Sequence, residues 1–282
     1  MSRSSARFVI LLALAFNQPA AAEEAVDLST QWIPAISLAL DIHDIEAKTS
    51  FSSDSIPTLA MGVRSAAIQG SRRITVGIIT TEGLVDSPVI WDRAGKLRLS
   101  ARLVAQLPTT IEHNVFRRES TDLDFGAGVT TEQVYTLRLV GNWGLGLGMR
   151  WTTSIAGYDF SFRPSVEYLG QRIGWNGLSM ISERDPVLDA VGFETLVFSA
   201  SGTEYETYHA VGVRLAIDAE LGKRGPIGVS IYAQFQTYRI VSETETTISV
   251  VNDIGSGVGR MTFEVDNWVT QGGVGIRLSW LP

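Results

Sequence analysis

The chain has 282 residues, 45% hydrophobic and 19% charged, which excludes gross disorder and leaves room for one large β domain or two small ones. Its formal net charge is −7, against the concentrated positive charge that phosphate backbones require, so nucleic acid is not expected as a partner. It contains no cysteine, which excludes a disulfide framework, thiolate metal sites and thiol nucleophiles.

Residues 1–22 have the pattern of a cleaved secretory signal. Arg3 and Arg7 precede the apolar run Phe8–Phe16, and Pro19 and Ala20-Ala21-Ala22 supply a breaker and an A-x-A site before Glu23. The run is too short to span a bilayer as a helix. Removing it takes the net charge to about −9. The mature chain is therefore expected to be 23–282, exported and forming a single domain. No later stretch is long and apolar enough for a transmembrane helix, so a membrane location requires a closed barrel, which leaves no backbone group unpaired in lipid.

In chain order, Trp32–Ile42 alternates apolar and small or polar residues. Ala47–Pro57 is serine-rich and reads as a loop. Leu59, Met61 and Val63, then Ile74, Val76 and Ile78, begin two further alternations, and Glu82–Gly95 reads as a connection. Lys96–Leu107 is the longest regular alternation, with Arg98 and Arg102 opposite its leucines; helical spacing would scatter those leucines over two faces, so a strand is favoured over a helix. Ile111–Asp124 is ambiguous, with a loop at 117–120. Leu123–Val129 and Val134–Val140 resume the alternation up to Gly141-Asn142.

The segment Trp143–Ile155 is the clearest. Trp143, Leu145, Leu147, Met149 and Trp151 share one parity, while Gly144, Gly146, Gly148 and Arg150 share the other. The two tryptophans would stand about 26 Å apart along a strand. Tilted by about 40°, that leaves roughly 20 Å of height, close to the apolar band of a membrane barrel. Gly157-Tyr158-Asp159 turns the chain into Phe160, Phe162, Val166 and Tyr168. Gly170–Gly202 fits either two irregular strands or a long loop with a helical turn near 186–191. Alternation then returns at Val211–Glu220, Ile227–Tyr238, Met261–Val265 and Val274–Trp280, with Thr247–Val251 a further extension.

These segments predict an all-β, antiparallel, up-and-down transmembrane β-barrel of about twelve strands, in the range ten to fourteen, joined by turns too short for parallel crossovers. The leucine, valine and isoleucine faces are bracketed by a candidate aromatic girdle of Trp32, Trp143, Trp151, Tyr168, Trp268 and Trp280. The opposite faces carry candidate lumen-lining residues Arg98, Arg102, Arg150, Arg214, Asp218, Glu220 and Arg277. A soluble sandwich or lipocalin-like binder alternates too and is the non-membrane rival. The connection lengths do not alternate cleanly between short and long.

On this pattern the chain resembles the outer-membrane β-barrel proteins of Gram-negative bacteria, and among them small solitary autotransporter-type barrels. Its last strand, G-V-G-I-R-L-S-W, is similar to the C-terminal signal of that class, although the chain ends Trp280-Leu281-Pro282 and not on an aromatic residue. The resemblance implies an outer-membrane location. It implies as partners outer-membrane lipids, lipopolysaccharide and, during biogenesis, the barrel-assembly machinery. A pore or structural surface barrel without enzymatic activity is the expected function. The alternative is a rim lipid-modifying hydrolase using His43, His113 or His209, though no G-x-S-x-G elbow is present. No H-x-H or H-x-x-x-H spacing suggests zinc, and Gly255–Gly259 lacks the following helix of a phosphate loop, so no catalytic residue, metal or cofactor is expected.

Overall fold

The computed structural model describes residues 28–59, 62–120, 129–184 and 194–281, with the side chains of 110–120 left out of the account. The expected signal at 1–22 and the helical turn near 186–191 lie outside the described residues. After a 3-10 turn at Leu28–Thr30, eleven strands follow: β1 (Ile33–Pro57), β2 (Val63–Trp91), β3 (Lys96–Gln106), β4 (Thr109–Ser120), β5 (Val129–Ile155), β6 (Tyr158–Arg184), β7 (Glu194–Arg224), β8 (Ile227–Ile240), β9 (Glu245–Val251), β10 (Val258–Val265) and β11 (Trp268–Trp280). All are antiparallel neighbours in one sheet, and β11 pairs back onto β1 to close it.

Eleven segments fall within the expected ten to fourteen, but they make eight staves. β3 and β4 lie end to end along β5, which pairs β4 at Val129–Leu139 and β3 at Asn142–Thr152. β10 and β11 lie end to end along β1. β8 and β9 pair β11 and β10 respectively. Pro108, which has no N–H to donate, separates β3 from β4. With eight staves, the connections do alternate. At the end holding the first and last described residues the strands are joined across 92–95, 156–157 and 225–226; at the other they are joined across 58–62, 121–128, 185–193 and 252–257. Short turns at the terminal end and longer loops opposite are the barrel norm. The out-of-step lengths arose because the stretch Gly170–Gly202 is strand on both sides of 185–193, belonging to β6 and β7. Likewise, the expected loop at 47–57 is the last part of β1, and of the expected connection at 82–95 residues 82–91 are the last part of β2 while 92–95 form the turn.

The staves are about twice as long as a membrane needs, and their polarity inverts halfway between the lower end, which holds the first and last described residues, and the upper end opposite. On β1, Ile36, Leu38, Leu40 and Ile42 point outward and are 53–64% exposed. The same face continues with Asp44, Glu46, Lys48, Ser50 and Ser52. The inward face runs Ser37, Asp41 and His43, then Ile45, Ala47 and Phe51, all buried. No register shift intervenes between residues 33 and 53 of β1, so the parity is unchanged and only the residue types exchange sides. The lower half is a barrel with an apolar exterior, as lipid requires; the upper half has an apolar interior, as water requires.

The upper half is also built differently. β2 pairs β3 only from Thr80 down, and β7 pairs β8 only from Ala210 down. Above those points the wall splits into two four-stranded sheets, β9-β10-β1-β2 and β4-β5-β6-β7. They pack face to face. Phe51 meets Phe198 at 5.3 Å between ring centroids, and Trp175 stacks on Phe263 at 5.1 Å. Gly177 makes room for that stack, since a Cβ there would lie 2.9 Å from the Phe263 ring. The buried Trp175 donates through Nε1 to the Tyr208 hydroxyl at 3.2 Å, and burial raises the Tyr208 phenol above its ordinary value.

The inversion makes one face of one strand a test of solvent. Leu38→Arg is expected to destabilise the fold by about 2–4 kcal/mol, the cost of a charge on a lipid face at mid-depth. Ser50→Arg, twelve positions along the same face, is expected to change stability by no more than about 0.5 kcal/mol. Urea unfolding in lipid vesicles measures both.

Candidate functional site: a charged lumen between two aromatic belts

The lower lumen is filled by side chains from every stave. Six arginines, Arg98, Arg102, Arg150, Arg163, Arg214 and Arg277, are 0–8% exposed. Five buried carboxyl groups, Asp41, Glu82, Asp86, Glu167 and Asp218, lie among them, with Glu220 at the lower rim. Glu82 is the hub: Arg102, Arg214 and Arg277 all reach it, the latter two at 3.4 and 3.5 Å. Asp86 takes Arg163 at 2.8 Å and Arg150 at 3.1 Å; Asp218 takes Arg163 at 2.6 Å and Arg277. Glu167 joins Arg102 and accepts the Tyr238 hydroxyl at 2.7 Å. Arg277 lies over the Tyr232 ring at 4.3 Å.

Most of these pairs join non-adjacent staves across the lumen. Arg102 of β3 grips Glu82 of β2 on one side and Glu167 of β6 on the other. Eight strands enclose a space that side chains can fill, and the glycines of β5 set how closely. Gly146 faces the Glu167 carboxylate, where a Cβ would come within 3.1 Å of Cγ and Oε1. In the sequence these inward glycines fit either space for water or space for a plug; here they seat the charged network.

Above the charges lies an amide layer. Gln106 sits 3.1 Å from His43 Nε2 and accepts from Asn142 Nδ2 at 2.6 Å; Gln236 donates to Gln271. Above that begins the aromatic core of the sandwich. Below, Arg98 is held by backbone carbonyls, donating to Gln31 O at 2.9 Å and also to Ser87 O and Leu28 O. The 3-10 turn therefore lies across the lower mouth, beside a cavity of about 420 Å³ lined by Arg98, Arg150, Arg163, Asp218 and Glu220 among others.

Five of the seven lumen residues named from sequence, Arg98, Arg102, Arg150, Arg214 and Arg277, are among these buried arginines; Asp218 is buried and Glu220 partly exposed at the rim. Sequence reasoning missed Asp41, Glu82, Asp86, Arg163 and Glu167. Arg163 and Glu167 had a readable signal, because Ser161, Arg163, Ser165 and Glu167 form the polar parity opposite Phe160, Phe162, Val166 and Tyr168. Glu82 and Asp86 were hidden by the glycine and proline that made their segment look like a loop.

The six girdle residues divide into two outward levels. Trp143, Tyr168 and Trp268 lie at the upper edge of the apolar band, Trp32, Trp151 and Trp280 at its lower edge, where Trp91 and Tyr158 join them. At the upper edge Trp143 meets Tyr168 at 5.5 Å, and Tyr168 hydrogen-bonds His209 Nδ1 at 2.6 Å and stacks on it. Just above, Asp44 is held by Arg73, whose guanidinium keeps the carboxyl below its ordinary range. The histidines do not converge: His43 faces the lumen, His209 faces outward, and the His113 side chain lies outside the described residues. Among the described residues no group of His, Asp or Glu is arranged to hold a metal ion.

Glu82→Gln is expected to cost about 3–5 kcal/mol, because three buried guanidinium groups lose their shared anion. Glu220→Gln, at a side chain 32% exposed, is expected to cost no more than about 1 kcal/mol. Urea titration of the vesicle-embedded protein distinguishes the two.

No family model and no curated protein matches the sequence. Among solved structures, the chain is similar to the outer membrane protease OmpT from Escherichia coli, at 12% identity over 91% of this chain and 99% of that one, with a TM-score of 0.36. It is similar to a major outer membrane protein from Thermus thermophilus, at 12% identity over 85% and 99% with a TM-score of 0.34. OprG from Pseudomonas aeruginosa matches at 12% identity over 86% and 97%, with a TM-score of 0.28. Its own closed wall, outward apolar band, paired girdles and charged interior make this chain a transmembrane β-barrel.

Proposed function

We propose that the protein is a closed, non-enzymatic surface barrel of the outer membrane, which holds a water-exposed β-sandwich above the lipid. The observation that carries this reading is the filled lumen. The arginine–carboxylate network, the amide layer and the aromatic core occupy successive levels of the same interior, and their largest side chains, including Arg277, Trp175, Tyr208 and Phe263, are less than 2% exposed. A pore needs a continuous hydrated path, and this packing opposes one. The separation of His43 from His209 across the wall likewise favours a structural role over a rim hydrolase.

The sandwich supplies the surface to be presented. Its upper outer face is a concavity of about 1370 Å³ lined by Ser52, Asp54, Ser65, Ser249 and Arg260 among others. The partners follow from position. Arg138, Arg172 and Arg239 point outward above the upper belt, at the level of anionic headgroups of an outer leaflet, which suits lipopolysaccharide phosphates. The barrel-assembly machinery would read the final strand, β11. Export would remove residues 1–22.

In planar bilayers the purified protein is expected to insert without discrete conductance steps; a stable single-channel current would overturn the closed-barrel reading. Intact-mass measurement of the membrane-extracted protein is expected to place its first residue at Glu23.

A further inference from the structure

The two places where the upper wall splits lie on opposite sides of the ring, and they carry opposite charge. At the first, β2 from Val63 to Ile78 has no ladder partner except β1 among the described residues. This stretch contains Arg64, Arg72 and Arg73 and no acidic residue; Arg64 pairs with Glu183 at 3.2 Å and Arg73 with Asp44, so Arg72 carries the charge offered outward. Arg72 has the inward parity of Ile68 and Ile74, yet it is exposed, and it has no carboxylate partner among the described residues.

At the second split, β7 and β9 have no backbone hydrogen bonds between residues 200–208 and 243–251 among the described residues; the seam is bridged by Ile248 and Val250 lying over Gly202. No basic residue occurs from Glu194 to Tyr208 or from Val241 to Val251. Glu206 again has inward parity but is exposed, and Glu204 is half-exposed; each accepts the backbone N–H of the next residue. Glu243 and Glu245 flank them.

Below each flank the wall is apolar and faces lipid. Under the basic side, Thr81, Gly83 and Ala105 leave a groove of about 640 Å³ walled by Ile36, Leu38 and Leu103. Nothing lies within 4 Å of a Cβ built on Gly83, so the groove is open. Under the acidic side, Val213, Leu215, Ile217 and Phe235 face outward, 41–59% exposed.

We propose that copies of this chain associate side by side in the membrane, the basic β2 flank and the groove below it on one copy against the acidic β7–β9 flank and the apolar face below it on the next. Embedded copies share one orientation, so each basic flank can face a neighbour's acidic flank at matching depth. The contact is heterologous, and because its two halves are on opposite sides of the barrel it does not close after two copies but extends into rows. This rests on the membrane-embedded fold and not on whether the lumen conducts.

The cysteine-free chain makes the test clean. Gln69→Cys and Thr203→Cys point outward beside the two seams. In membranes treated with a short thiol cross-linker, the double variant is expected to give a ladder of dimers, trimers and higher species, while each single variant stays monomeric. Arg72→Glu or Glu206→Arg in that background is expected to reduce the ladder to background, and the two together to restore it. Dimers from a single-cysteine variant would show a two-fold contact and overturn the proposal, as would the absence of a ladder, or a ladder unaffected by charge reversal. Heat-modifiable gel mobility of every variant separates loss of association from loss of the barrel.

Discussion

Everything in this molecule depends on pairing charge inside a wall whose outside is lipid. A strand that puts leucine toward the bilayer at every second position must put its remaining residues into the lumen. In an eight-stave barrel the lumen is narrow enough for those residues to touch. Buried charge left unpaired is costly, whereas charge held by several partners is tolerated. The network around Glu82 meets that condition with three arginines on one carboxylate, drawn from β3, β7 and β11. The same contacts tie distant staves together across the interior.

Because the staves run on beyond the membrane, the chain must satisfy two solvents with one alternation. On β1 it does so by exchanging residue types between the faces and keeping the pleat. Along β1 the exchange is complete within Ile42–Ile45. On β5 it coincides with a shift of register between Leu139 and Gly141, after which the inward parity moves from odd to even numbers. A β-bulge can re-aim side chains in this way. Once the interior is apolar, closure of the wall is no longer obligatory. Open strand edges are ruinous in lipid but tolerable in water, where solvent can satisfy their N–H and C=O groups. The split into two sheets begins where that requirement lapses.

The two rival sequence readings, membrane barrel and soluble sandwich, therefore describe different heights of one structure. The alternation in Trp143–Trp151 was legible because its glycine face could be seen opposite its leucines. The alternation in Ala47–Pro57 was not, because Ser50, Ser52 and Asp54 are polar residues facing water while Thr49 and Ser53 are polar residues facing in. Gly170–Gly202 was obscured for the related reason that Trp175, Ile173 and Phe198 are core residues among glycines that make space for rings.

Local alternation and the spacing of aromatic residues determined from sequence alone that the chain is antiparallel β, and that one face of Trp143–Ile155 meets something apolar. Both follow from the two-residue period of the strand, a property of neighbours in the chain. Which segments join end to end, and hence that eleven strands make eight staves, was decided only by tertiary pairing, because a stave broken at Pro108 or at 241–244 looks in sequence like two strands and a turn. The charge network was likewise decided in three dimensions: Glu82 and Arg277 are 195 residues apart, and only closure of the wall between β11 and β1 brings them together.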